Sequence, residues 1–90
     1  MDNSPIQNVE ITLINAQNGL VGFCSFQYHG MQLNGISLRN TSEGKFRLLY
    51  PTKKLRNNPE FKIYYPIGNE LNGTILKEVM KKYREIMEKM

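Results

Sequence analysis

The sequence predicts an α+β domain: an antiparallel meander of about five strands, then one C-terminal amphipathic helix packed on the sheet. Three observations carry this. Apolar and polar residues alternate with period 2 up to Tyr65, Asn-Gly and His-Gly pairs punctuate the alternation, and from Leu71 onward the apolar period becomes 3.6.

Val9, Ile11 and Leu13 alternate with Glu10 and Thr12, which reads as a half-buried strand. Asn18-Gly19 supplies the positive φ angles of a tight hairpin, so a second strand follows over Leu20 to Tyr28. His29-Gly30 is a second two-residue turn, and a third strand runs from Met31 to Arg39 with Ile36 and Leu38 on one face. Asn34-Gly35 inside that run predicts a bulge or bend. Thr41 to Gly44 forms the next turn, and Phe46, Leu48 and Tyr50 alternate with Arg47 on a fourth strand. Pro51 has no N–H for a ladder and ends it, so Thr52 to Pro59 reads as a polar, basic loop. A short fifth strand is expected over Phe61 to Tyr65 before Pro66 and Gly68 turn the chain.

On a helical wheel Leu71, Ile75, Leu76, Val79, Met80, Tyr83, Ile86, Met87 and Met90 fill an arc of about 180°, and the charges fill the rest. Glu78 with Lys82 and Glu85 with Lys89 stand in the favourable i,i+4 order. Asn69 or Asn72 is the expected N-cap, with Gly73 weakening the first turn. An arc this wide exceeds the roughly 100° stripe that packing on one sheet requires. Leu76, Met80 and Met87 line its margin, where a second protomer would bury them, so a homodimer is expected.

Ninety residues make a single domain, residues 1–90, with 1–7 as a flexible tail. A chain of this size buries roughly 60–65% of its unfolded surface, a modest core. Cys24 alone allows neither an intrachain disulfide nor a cysteine metal cluster, and in its apolar run it reads as a small hydrophobe. Met1 to Gln7 has neither a basic n-region nor an apolar h-region, and no stretch approaches the roughly 20 apolar residues of a membrane span. The expectation is a soluble, cytoplasmic protein with no membrane partner.

The charge is one-sided. Residues 1–43 carry Arg39 against three acids, whereas residues 44–90 carry eleven bases against five, within a net +4. Such a field attracts phosphate backbones and raises association rates. Tyr50-Pro51-Thr52-Lys53-Lys54-Leu55-Arg56-Asn57-Asn58 concentrates it, because a Pro-anchored loop that projects Lys53, Lys54 and Arg56 can lay cations along phosphates. Lysines act as point charges, so Arg56, Asn57 and Asn58 are the better candidates for reading bases. Lys45, Arg47 and Lys62 flank the loop and complete the nucleic-acid-binding set. Tyr64 and Tyr65 are adjacent on a strand: one of them faces away from the helix and could stack on an unpaired base, or both pack in the core or at a dimer contact.

No catalytic set assembles. His29 is the sole histidine, the carboxylates are scattered, and neither a phosphate-cradling G-x-x-x-x-G-K-[ST] loop nor a G-x-G-x-x-G turn is present. We expect no enzyme activity, no metal, no cofactor and no small-molecule substrate.

Gly44-Lys-Phe, Tyr50-Pro-Thr-Lys-Lys, Glu60-Phe-Lys-Ile, Tyr65-Pro-Ile67 and Ile75-x-x-x-Val79-x-x-x-Tyr83 occur in this order. In them the chain resembles the stage V sporulation protein G family of septation regulators, from about Val9 to Ile86. The resemblance implies a small bacterial cytoplasmic regulator, dimeric, that binds DNA and in some members RNA to modulate gene expression and septum formation. It implies a binding role for Lys53 and Lys54 at the family's basic pair, with Thr52 in place of the usual Ser. The family's His before Pro-Ile is Tyr65 here, one extra residue separates Gly44 from Pro51, and the segment before Tyr65 is one residue shorter.

The leading expectation is therefore a dimeric regulator that binds DNA, and RNA as a further partner, through a basic loop. The alternative is a protein-interaction adaptor that docks a partner on the helix arc or an open sheet edge.

Overall fold

A computed structural model describes residues 4–54, 56 and 59–89. Among them the fold is α+β: a four-stranded antiparallel sheet, a short two-stranded sheet and one C-terminal helix packed against the larger sheet. The strands are β1 (Ile6–Gln17), β2 (Leu20–Tyr28), β3 (Met31–Asn40) and β4 (Phe46–Leu49), in spatial order β1-β2-β3-β4. β5 (Thr52–Lys53) and β6 (Phe61–Lys62) pair with each other, and the helix α1 spans Asn69–Glu88.

The meander follows from its turns. Asn18 and Gly19 take φ of 54° and 86°, and His29 and Gly30 take 49° and 81°, the left-handed pairs that let two residues reverse a twisted ladder. Gly19 is required on a second count: Asn40 N donates to Gly19 O at 2.7 Å, and a Cβ at Gly19 would lie 2.7 Å from Asn40 O. The β1–β2 turn is thereby fastened to the end of β3.

Bulges set which side chains face the helix. Asn8, at φ 53°, falls where β1 gains a residue on β2, between the Gln7–Gln27 and Glu10–Ser25 pairs. That extra residue brings Ile6, from the other phase, onto the same core as Val9 and Ile11. The expected tail of 1–7 does not take in Ile6 and Gln7, which belong to β1 with Ile6 buried; residues 1–3 lie outside the described residues. The bulge expected at Asn34-Gly35 is present, between the Cys24–Ile36 and Phe26–Leu33 pairs.

One face of the sheet meets α1. Phe26, Ile36, Leu38 and Val79 are fully buried, with Ile6, Cys24 and Ile75 beside them, and Phe46 meets Tyr83 at 5.1 Å between ring centroids. Gly22 on β2 is compelled by close approach, since a Cβ there would strike the Thr12 carbonyl and lie 3.2 Å from Leu13 Cα.

Three local expectations are corrected. The N-cap is Gly68 at φ 89° with no side-chain cap bond. Neither Asn69 nor Asn72 serves, because the chain turns into the helix through Gly68 and Asn72 Oδ1 accepts from Tyr50 Oη at 3.3 Å. The fifth strand is shorter than Phe61–Tyr65, and it pairs with Thr52–Lys53, which composition alone reads as loop. The pairs Glu78–Lys82 and Glu85–Lys89 do not close; among the described residues the ion pair is Lys45 Nζ to Glu43 Oε2 at 3.7 Å. On an exposed helix the entropy of holding two long side chains outweighs so weak an attraction.

The wide helix arc is largely absorbed within the chain. Met80 packs against the core, Leu76 is half-buried, and Met87 is left 44% exposed. Met90 lies outside the described residues. No described helix is long and apolar enough to cross a membrane.

Candidate nucleic-acid interface

Pro51 separates β4 from β5 and organises the basic segment. Lacking an N–H it cannot extend the ladder on β3, yet its carbonyl accepts from Ile63 N at 2.8 Å, which begins a new ladder. That ladder continues through Thr52 opposite Lys62 and Lys53 opposite Phe61. A narrow two-stranded arm results, with Lys53, Lys54, Arg56 and Lys62 all exposed on it or on its connection. None of the four has a carboxylate partner among the described residues, so each keeps its charge available to an anion. Asn57 and Asn58, expected to read bases, lie outside the described residues.

The base of the arm is held by aromatic packing. Tyr64 Oη donates to Asn34 O, and the Tyr64 ring meets Tyr50 edge-on with centroids 6.1 Å apart. Burial pushes the Tyr50 hydroxyl up to about 12, with Cys24 and Tyr64 adding smaller effects in the same direction; burial also raises Tyr64. Tyr65 faces the other way, 52% exposed, with Lys62 Nζ 4.9 Å from its ring centroid. One tyrosine of the pair is therefore structural and the other presents a ring to solvent beside a lysine.

Arg47 and Lys45 belong to a different surface. Phe46 and Leu48 pack toward the helix, so Arg47 and Leu49 point to the sheet's uncovered face. There Arg47 stands directly opposite Arg39. Arg39 Nη2 donates to Asn18 O at 2.7 Å, so the fastened β1–β2 turn fixes the guanidinium. Arg39 was not among the residues expected from sequence: it sits in the acidic half by chain position, and only strand register brings it to Arg47. Lys45 is the least available of the set, since its ammonium faces Glu43.

Two concavities connect these groups. One, of about 630 Å³, lies between β4, the arm and the start of α1, and its lining includes Arg47, Leu49, Thr52, Lys62 and Tyr65. The other, of about 300 Å³, is lined by Asn18, Arg39, Thr41, Ser42, Arg47 and Leu49. Arg47 and Leu49 line both, so the two adjoin at that pair, and among the described residues Glu60 beside Lys62 is the one carboxylate in the lining of the larger. Both hold hydrogen-bonding side chains between their cations, which suits a chain of phosphates and sugars.

Other chemistry is poorly supplied. Cys24 is buried and burial pushes its thiol up to about 12, which leaves no thiolate for attack at neutral pH. His29 is exposed in its turn with its ring edge-on to Tyr28 at 4.4 Å. No group of three or more His, Cys, Asp or Glu among the described residues is arranged to hold a metal ion.

No protein-family model matches this chain, and no curated protein does.

Proposed function

We propose that the protein is a nucleic-acid-binding regulator of the septation and sporulation type, and that it contacts phosphates through the β5–β6 arm. The observation that carries this reading is the arm itself, where Lys53, Lys54, Arg56 and Lys62 project to solvent without a carboxylate among the described residues to neutralise them. Phosphate contact of this kind accounts for most non-specific affinity and makes it salt-dependent. Lys53 and Lys54 are central, Arg56 and Lys62 assist, and Arg47 extends the contact onto the adjoining sheet face. DNA is the proposed partner, with RNA as a second.

The active form in this reading is a homodimer. Support comes from apolar surface left open on a small chain: Ile67 is 87% exposed, Ile63 57%, Phe61 47% and Met87 44%. A two-fold pair doubles the arms, as palindromic or repeated targets require. The same apolar set supports the adaptor alternative, in which it docks another protein and the arm is a solvated turn.

Binding of labelled duplex and single-stranded pools across a salt series tests the reading. Neutralising roughly six phosphates by a dimer gives log K against log salt a slope of about −5. A Lys53→Ala/Lys54→Ala/Arg56→Ala variant of unchanged fold loses most of that slope. A flat salt dependence, or equal binding by both proteins, favours the adaptor.

A further inference from the structure

Arg39 and Arg47 face each other across β3 and β4, and like charges directly opposite on neighbouring strands weaken a ladder. Neither meets a carboxylate among the described residues, and Arg39 is held in place by its bond to Asn18 O. An anion seated between two guanidinium forks removes the repulsion and gains paired, charge-assisted hydrogen bonds.

In the next row of the same face hydroxyl and apolar side chains alternate. Thr12, Phe23, Ser37 and Leu49 lie side by side across β1 to β4, with Phe23 44% and Leu49 46% exposed. Phe23 stands diagonally from Arg39 in the ladder, a relation that sets the two backbone positions about 7–8 Å apart. A ring open to solvent on the same face as the two cationic forks can stack a base while the forks hold a phosphate of the same strand.

We propose that this uncovered sheet face is a track for single-stranded nucleic acid. Arg39 and Arg47 grip a phosphate, Phe23 stacks a base, and Arg47, which lines both concavities, stands between the track and the arm. The proposal rests on the nucleic-acid reading above and goes beyond it by naming the strand state and a second contact surface. A duplex is the poorer occupant, because its bases are stacked on each other and offer Phe23 no free face.

The test is fluorescence anisotropy with labelled oligouridine and oligothymidine single strands and a duplex of equal length, across a salt series, on the full chain. Arg39→Gln/Arg47→Gln is expected to weaken single-strand binding about tenfold and to flatten the salt slope by about 1. Arg39→Lys/Arg47→Lys keeps the slope and still loses affinity, because the bidentate fork is gone. Phe23→Leu lowers single-strand affinity about fivefold or more with the slope unchanged, and leaves duplex binding as it was. The uridine and thymidine arms tell RNA from DNA. If these variants bind single strands like the unchanged protein while Lys53→Ala/Lys54→Ala does not, the track is wrong and the arm stands. If the unchanged protein binds no oligomer at low salt, the nucleic-acid reading falls and the track with it. If Phe23→Leu instead turns a dimer into a monomer in sedimentation, the face belongs to a second copy and the proposal is overturned.

Discussion

Phe23 and Phe26 lie three residues apart on β2 and have opposite surroundings. Phe26 is wholly buried under α1, whereas Phe23 is 44% exposed on the far side of the sheet. An odd spacing on a strand puts them on opposite faces, so the difference is a difference between faces. On the covered face, Ile36, Leu38 and Val79 close around Phe26, and residue type is dictated by volume and the absence of polar atoms. The open face has no such demand. There the sheet tolerates two opposed arginines and a solvent-facing ring, and packing explains neither.

The largest expected effect separates the two rings. Phe26→Ala should lose about 3–5 kcal/mol of stability, because a closed site cannot fill the cavity. Phe23→Ala should lose about 1 kcal/mol or less, since much of that ring is already in water. Urea unfolding of the two variants measures the gap. Equal losses that depend on protein concentration would mean that a second protomer covers the open face, and the contrast between faces would hold only for the isolated chain.

The covered face was the legible one. Alternation along Phe46, Leu48 and Tyr50, the two left-handed turns and the helical period from Leu71 each express a local rule, and together they define the meander and its helix. Ile6 escaped because one Asn in a left-handed conformation reverses the alternation, and an Asn is common enough in loops to carry no warning. Asn69 and Asn72 both suit a helix cap, yet a tertiary bond to Tyr50 claims one and the approach through Gly68 excludes both. For the candidate site, Lys53, Lys54 and Arg56 were visible as a run. The Arg39–Arg47 pairing was not: it depends on the register of two strands, and charge counting along the chain places the two residues in halves of opposite sign.

A smaller effect tests the seal of the covered face by pH. Burial holds the Cys24 thiol at about 12 against an ordinary 9.0, and Tyr50 at about 12 against 10.0. The unfolded chain therefore releases these protons first on raising the pH, and it binds fewer protons than the folded chain between about pH 9 and 12. Stability contributed by the neutral groups is intact below pH 9 and is lost as pH rises toward 12. While only the unfolded thiol is ionised, the loss due to Cys24 is about 1.4 kcal/mol per pH unit. Cys24→Val should remove that part of the slope in urea titrations at several pH values. A variant that follows the unchanged protein point for point would show that the thiol is reached by water and the core is less closed than its geometry.

The smallest effect on stability belongs to the arm, and its smallness is the informative part. Lys53 and Lys54 are exposed and have no carboxylate among the described residues, so replacing both by Ala should shift the unfolding midpoint by an amount equivalent to about 0.5 kcal/mol or less. Relief of repulsion among Lys53, Lys54, Arg56 and Lys62 could even make the change slightly favourable. A residue pair with no folding role that nevertheless controls salt-dependent binding is a contact surface in the strict sense. If Lys53→Ala/Lys54→Ala destabilises the protein by 2 kcal/mol or so, the lysines are holding the arm against the body. Their effect on binding would then report an altered fold, and the burden of the phosphate contact would move to Arg39 and Arg47.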